Sequence, residues 1–112
     1  IGDFQIARAG WIGDYIDPKS FLDMMVTGRG NNQTGWSNDE FDNLMIAAAN
    51  SKSQYERYEN FYKAEKILID EMPIIPIYTY TRIYMLHEDV QGWGNNLLDS
   101  RPYQFVYLDN KE

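Results

Sequence analysis

Two helix-start signatures, Ser37-Asn38-Asp39-Glu40 and Ser53-Gln54-Tyr55-Glu56, restrict the fold of this chain more than any other feature. In each, a serine that can accept from an N-terminal backbone N–H is followed three residues on by a glutamate that can reach back to the serine's own N–H. After the first, Phe41, Leu44, Met45 and Ala48 recur at helical spacing. After the second, Tyr58, Phe61, Glu65, Leu68 and Met72 keep the period to about Glu71. Only Asn50-Ser51-Lys52 lies between, so an antiparallel helical pair is expected. The aromatic stripe of Tyr55, Tyr58, Phe61 and Tyr62 reads as core rather than as a ligand site.

Ahead of this pair, residues 3 to 12 read as a strand, with Phe4 and Ile6 followed by small residues. Past a Gly13-Asp14-Tyr15 bend, Asp17 can cap a helix with Pro18 at its first position, where the missing N–H costs nothing. A short helix over Ser20 to Val26 would then bury Phe21, Leu22 and Met25. Thr27 to Trp36 is a loop by composition, with Gly28, Gly30 and Gly35 among asparagines. It lacks the Lys-Ser/Thr pair of a phosphate loop. Trp36 is either a plug that seats this loop on the core or a ligand wall.

Downstream, Pro73 stops the second long helix. Met72 to Thr81 then changes to strand periodicity, apolar on both faces, as in a covered strand. Pro76 cannot donate to a ladder, so the strand begins after it or lies at an edge there. Arg82 to Leu86 continues extended, Glu88 to Ser100 is turn-rich, and Gln104 to Leu108 makes a last short strand before a charged tail. No internal repeat or linker divides the chain. The sum is a single α+β piece with about three helices and a few strands.

The 112 residues suffice for one modest core, and 44% hydrophobic with 15% aromatic residues argues for a folded chain. A net charge of −7 with scattered Lys and Arg argues against nucleic acid as a partner. No Cys is present, which removes Cys-ligated metals, thiol catalysis and disulfides, and His87 has no second histidine beside it. His87 reads as a surface or strand-end residue, and neither a metal nor a cofactor is implied. No apolar run reaches the length of about 18 residues that spans a membrane, and no signal peptide is visible. The opening Ile-Gly-Asp reads as a cut from something longer.

The stretch from Arg8 to Pro18 carries the chemistry. In an extended chain Arg8, Gly10, Ile12 and Asp14 share one face, and six steps of about 3.3 Å hold the two opposite charges about 20 Å apart. Gly10 and Gly13 leave backbone uncovered, so another chain can approach it. A cation at one end, an anion at the other and bare main chain between suit a short zwitterionic peptide added as a strand.

Ile6-Ala7-Arg8-Ala9-Gly10-Trp11-Ile12-Gly13-Asp14-Tyr15, Asp17-Pro18, Phe21-Leu22, Asn31-Asn32, Gly35-Trp36, Phe41-Asp42-Asn43-Leu44, Ala64-Glu65-Lys66-Ile67-Leu68 and Pro73-Ile74-Ile75-Pro76-Ile77-Tyr78 follow one another in order. Together they resemble the C-terminal quarter of the extracellular oligopeptide-binding proteins of peptide ABC importers. The resemblance implies that residues 1–112 are the C-terminal segment of a larger, two-lobed chain of periplasmic-binding-protein-like (type II) fold. It implies short peptides as ligands, ABC transporter permease subunits and the rest of its own chain as partners, and a place in the periplasm or, lipid-anchored, on the outer face of the cell membrane. By the same resemblance Asp14 salt-bridges the peptide α-amino group, and Arg8 meets the C-terminal carboxylate of short peptides. Trp11 lines a side-chain pocket, and the backbone around Gly10, Ile12 and Gly13 lies along the ligand. The family also includes binders of nickel complexes, sugars and other solutes, and a peptide-pheromone receptor would use the same site.

Each residue has a plainer reading beside this one. Arg8 can pair with Asp3, Asp17 or a carboxylate elsewhere, Asp14 can cap the helix, and Trp11 can be core. An enzyme is the competing class: Asp14, Asp17 and Asp23 near tryptophans can be imagined as a glycoside hydrolase, whose chemistry needs two carboxylates about 5 to 9 Å apart. Asp17 is better explained as a cap. An isolated segment of this kind is expected to leave an apolar inner face uncovered and to dimerise through it.

Overall fold

In a computed structural model, which describes residues 3–94, 96, 98 and 100–109, the hairpin forms as helices α2 (Asp39–Asn50) and α3 (Gln54–Glu71). They follow a short helix α1 (Lys19–Leu22), which tightens into a 3₁₀ turn over Asp23–Met25. Contacts divide the chain into a unit of residues 1–76, holding the three helices, and a smaller unit of residues 77–112.

The helical spacing selects the first unit's core on α2 and only part of it on α3, where Tyr58, Glu65 and Met72 of the expected face are exposed and Ala64 is buried with Phe61 and Leu68. Phe41, Met45 and Ala48 of α2 are buried with Phe61, Ala64 and Leu68 of α3, and Leu22 and Met25 close one end. The small side chains of Ala48 and Ala64, at 1% and 0% exposure, let the two helices come close. Phe41 is wholly buried, which stabilises the fold by about 1.5–3 kcal/mol relative to an exposed ring.

Both long helices are capped, one as expected and one a residue later. Ser53 Oγ accepts from the Glu56 N–H at 3.1 Å, while the Glu56 carboxylate takes the Lys52 N–H at 3.2 Å rather than that of Ser53. At α2 the cap is Asn38, not Ser37: its side-chain oxygen accepts from the Phe41 N–H at 3.0 Å. An asparagine caps as well as a serine, and its amide also donates to Glu71 at 2.7 Å, which a hydroxyl at 37 would not replace. The other Glu71 oxygen takes the Trp36 indole N–H at 2.7 Å, and the Trp36 ring meets Phe41 edge-on with centroids 5.1 Å apart. Trp36 is therefore the plug of its loop. Asn32 fastens the same loop by donating to the carbonyls of Met25 and Trp36. Helix α3 ends where Met72 turns left-handed, at φ 51°, just before Pro73.

Three expectations are corrected. Of the aromatic stripe on α3 only Phe61 is core; Tyr55 and Tyr62 are 77% and 65% exposed, because α2 covers only one face of the longer helix. Phe21 is also largely exposed, and buried Ser20 stands in its place beside Leu22. Residues 3–12 and 72–81 form no ladder; Ile77 of the expected covered strand is 84% exposed, and Ile83 and Met85 of the stretch after it are 94% and 98% exposed. Strand periodicity marks a segment fit for a sheet, but a strand exists only with a partner to take its N–H and C=O groups.

In the second unit β1 (Val90–Gln91) pairs antiparallel with β2 (Tyr107–Leu108), so the last strand forms but is shorter than expected. Tyr103–Phe105 make a 3₁₀ turn instead. Gly92, at φ +77°, sits so close to the Phe105 carbonyl that a β-carbon there would overlap it. Arg101 lies over the rings of Tyr84 and Trp93, at 5.1 and 4.9 Å from their centroids. His87 is on the surface, beside Asp89. The turn positions Asn95, Leu97 and Asp99 and the charged tail from Asn110 lie outside the described residues.

Candidate functional site

The short helix α1 positions the candidate site from below. Asp17 opens it by accepting the Lys19 N–H at 2.9 Å on its own carboxylate, the role expected of a cap. The same carboxylate is gripped from α3 by the Arg57 guanidinium in two parallel bonds, Nη1 to Oδ2 and Nη2 to Oδ1, each 2.7 Å. Arg57 also lies over the Phe61 ring at 4.6 Å. The Arg57 hydrogen bonds hold the Asp17 carboxyl below its ordinary pKa, against the opposing pull of desolvation. The two bonds from Arg57 and the one from the Lys19 N–H occupy this carboxylate in tying α1 to α3, a structural task.

One turn on, Ser20 reaches back to the stretch with the chemistry. Its hydroxyl accepts the Asp14 backbone N–H at 2.7 Å, and its carbonyl accepts the Trp11 indole N–H at 2.7 Å. Ser20 is 4% exposed. Between these anchors Gly13 passes over Phe21, whose ring would stand 3.0 Å from an added β-carbon.

Trp11 and Asp14 are thereby brought to one cavity of about 320 Å³, which also has Tyr15, Ser20, Asp23, Met24 and Arg29 to Asn31 in its walls. Asp14 is exposed and Trp11 half-buried. On the wall formed by α1 and the glycine-rich loop, Arg29 pairs with Asp23 at 3.4 Å. The cavity thus joins two aromatic residues, Trp11 and Tyr15, to two carboxylates and a guanidinium, a set able to hold an ammonium group beside an apolar side chain. Arg8, Gly10 and Ile12 are exposed and stand outside this lining, in a segment with no regular secondary structure.

Sequence reasoning did not single out Ser20, Arg57 or Arg29. A buried serine in the first turn of an apolar helix is a readable signal for Ser20. Arg57 and Arg29 carry none, since each meets its carboxylate only after the chain folds back.

No protein-family model matches the chain. Among curated proteins, it is 44% identical over 91 residues to the oligopeptide-binding protein OppA of Bacillus subtilis, an overlap of 80% of this chain and 17% of that protein. It is 40% identical over 89 residues to the dipeptide-binding protein DppE of the same organism, covering 80% of this chain and 16% of that one. Among solved structures, the periplasmic murein tripeptide-binding protein MppA in its unliganded open form superposes with a TM-score of 0.71 at 29% identity. That match covers 88% of this chain and 19% of MppA. The chain spans less than a fifth of the length of these relatives, all named as binding proteins. By sequence and by fold, this α+β chain is similar to a segment of the oligopeptide- and dipeptide-binding proteins.

Proposed function

We propose that the chain works within a longer, two-lobed solute-binding protein that captures short peptides outside the cytoplasm and hands them to the permease of an ABC transporter. Residues 1–112 supply one wall of the cleft. Asp14 takes the peptide α-amino group, Trp11 lines the pocket for a side chain, and the main chain at Gly10, Ile12 and Gly13 runs along the ligand. Arg8, at the far end of an extended stretch, meets the carboxylate of peptides of one length and leaves others unmet. The observation that carries this reading is that Asp14 and Trp11 line one cavity, with the Asp14 side chain exposed. The names of the relatives support peptides as the ligand class. Lipid anchoring at the outer face of the membrane is part of the same proposal; no helix among the described residues is long and apolar enough to cross a membrane.

A carboxylate holding an ammonium in a closed cleft is a charge-assisted contact, and removing one partner there costs about 2–5 kcal/mol. Calorimetry on the full-length protein tests this. Asp14→Asn is expected to lower the affinity for short peptides by more than about tenfold, and N-acetylation of the peptide is expected to cost the wild type as much. Equal affinity for free and acetylated peptides would remove Asp14 from the site.

A further inference from the structure

The inference rests on the reading of Asp14 as the ammonium site and concerns what aims it. Nothing in the sequence of the 11–14 stretch holds it in one conformation: it has a glycine at 13, lies outside regular secondary structure, and Asp14 is exposed. A carboxylate on such a turn would sample many positions, and an ammonium would have to select one of them at an entropic cost. The turn is instead fastened at both ends to a single residue. Ser20 Oγ takes the Asp14 N–H and the Ser20 carbonyl takes the Trp11 indole N–H, both at 2.7 Å, from a position 4% exposed. Ser20 has this fixed place because Leu22 beside it is in the core and Asp17, which starts its helix, is held by Arg57.

We infer that Ser20 is the positioning residue of the site: its buried hydroxyl sets the turn from which the Asp14 carboxylate meets the peptide ammonium, and its carbonyl sets the indole that walls the same cavity. The two functions are separable. Ser20→Ala removes the hydroxyl and with it the Asp14 anchor, but leaves the backbone carbonyl and the Trp11 bond. Ser20→Thr keeps a hydroxyl at the same atom. Loss of the side-chain function should therefore appear only in the part of the affinity that depends on the ligand's free amine.

The test is a comparison of one tripeptide with its N-acetylated form, by calorimetry, on the full-length wild-type, Ser20→Ala and Ser20→Thr proteins. Loss of one hydrogen bond to a buried group corresponds to about a three- to tenfold change. Ser20→Ala is expected to lose about that factor for the free tripeptide and to hold the acetylated one within about twofold. Ser20→Thr is expected to keep the wild-type ratio. The ratio is read rather than either affinity, so a variant that is partly unfolded loses both alike and the ratio still reports the turn. If the wild type prefers the free amine but Ser20→Ala weakens both peptides equally, or neither, Ser20 is only a packing residue and the inference fails alone. If the wild type itself shows no preference, the ammonium assignment fails and this inference with it.

Discussion

The pairing of Asp17 with Arg57 allows a quantitative test of how the site is fastened to the helical hairpin. Both side chains are largely but not wholly buried, with 21% and 27% of their surface exposed. Fully exposed ion pairs contribute about 0–1 kcal/mol, whereas breaking a buried one costs about 3–5. A bidentate pair at this intermediate burial is expected to have a coupling energy of about 1–2 kcal/mol. Arg57→Ala also removes the guanidinium from the Phe61 ring, a loss of about 0.5–1 kcal/mol more. The total expected destabilisation is about 1.5–3 kcal/mol for Arg57→Ala, and less for Arg57→Lys, which keeps the charge but not the fork. The pH dependence follows from the depressed Asp17 carboxyl. A carboxyl whose folded pKa lies below its unfolded one contributes stability that is complete above the unfolded value, about 3.9, and is lost as the pH falls through the folded value. A double-mutant cycle of Asp17→Asn and Arg57→Ala, read by urea unfolding, should therefore show its full coupling at about pH 7 and a shrinking one as the pH falls below about 4. A coupling below about 0.5 kcal/mol at neutral pH, or one indifferent to acid, would refute the reasoning.

Two further outcomes are expected. Gly92→Ala should break the β1/β2 pairing, since its β-carbon would lie 1.9 Å from the Phe105 carbonyl oxygen at a positive φ; hydrogen exchange at the Asp109 N–H, which bonds the Asp89 carbonyl at 2.8 Å, should speed up by at least about tenfold. The isolated 112-residue chain should fold but bind peptides no better than about millimolar, because one exposed wall leaves the ion pair in water. Its bare apolar positions, Ile77, Ile83 and Met85 among them, should make it self-associate. Peptide titration by NMR with light scattering on the same samples reads both, and micromolar binding by a monomer would overturn this expectation.

What the sequence determined by itself is what depends on near neighbours along the chain. The helical recurrence of Phe41, Met45 and Ala48, and of Phe61 and Leu68, specifies two faces that must meet, and Ser53 caps its helix with atoms three residues away. Asp17 at the start of α1 was legible for the same reason. The candidate site was legible as a set of residue types, Asp14 and Trp11 beside Gly13, because their chemistry is written in the sequence. Tertiary structure decided where the local signals were ambiguous or silent. Asn38 displaced Ser37 as a cap because Glu71, from the far end of α3, offers its amide a second partner. Arg57 found Asp17 forty positions away, and Ser20 found both Trp11 and Asp14, through bonds that no spacing rule announces. Residues 3–12 and 72–81 carry the residue types of strands without becoming strands here. A helix completes its hydrogen bonds within its own segment, whereas a strand takes them from another, so periodicity alone specifies the first and only proposes the second.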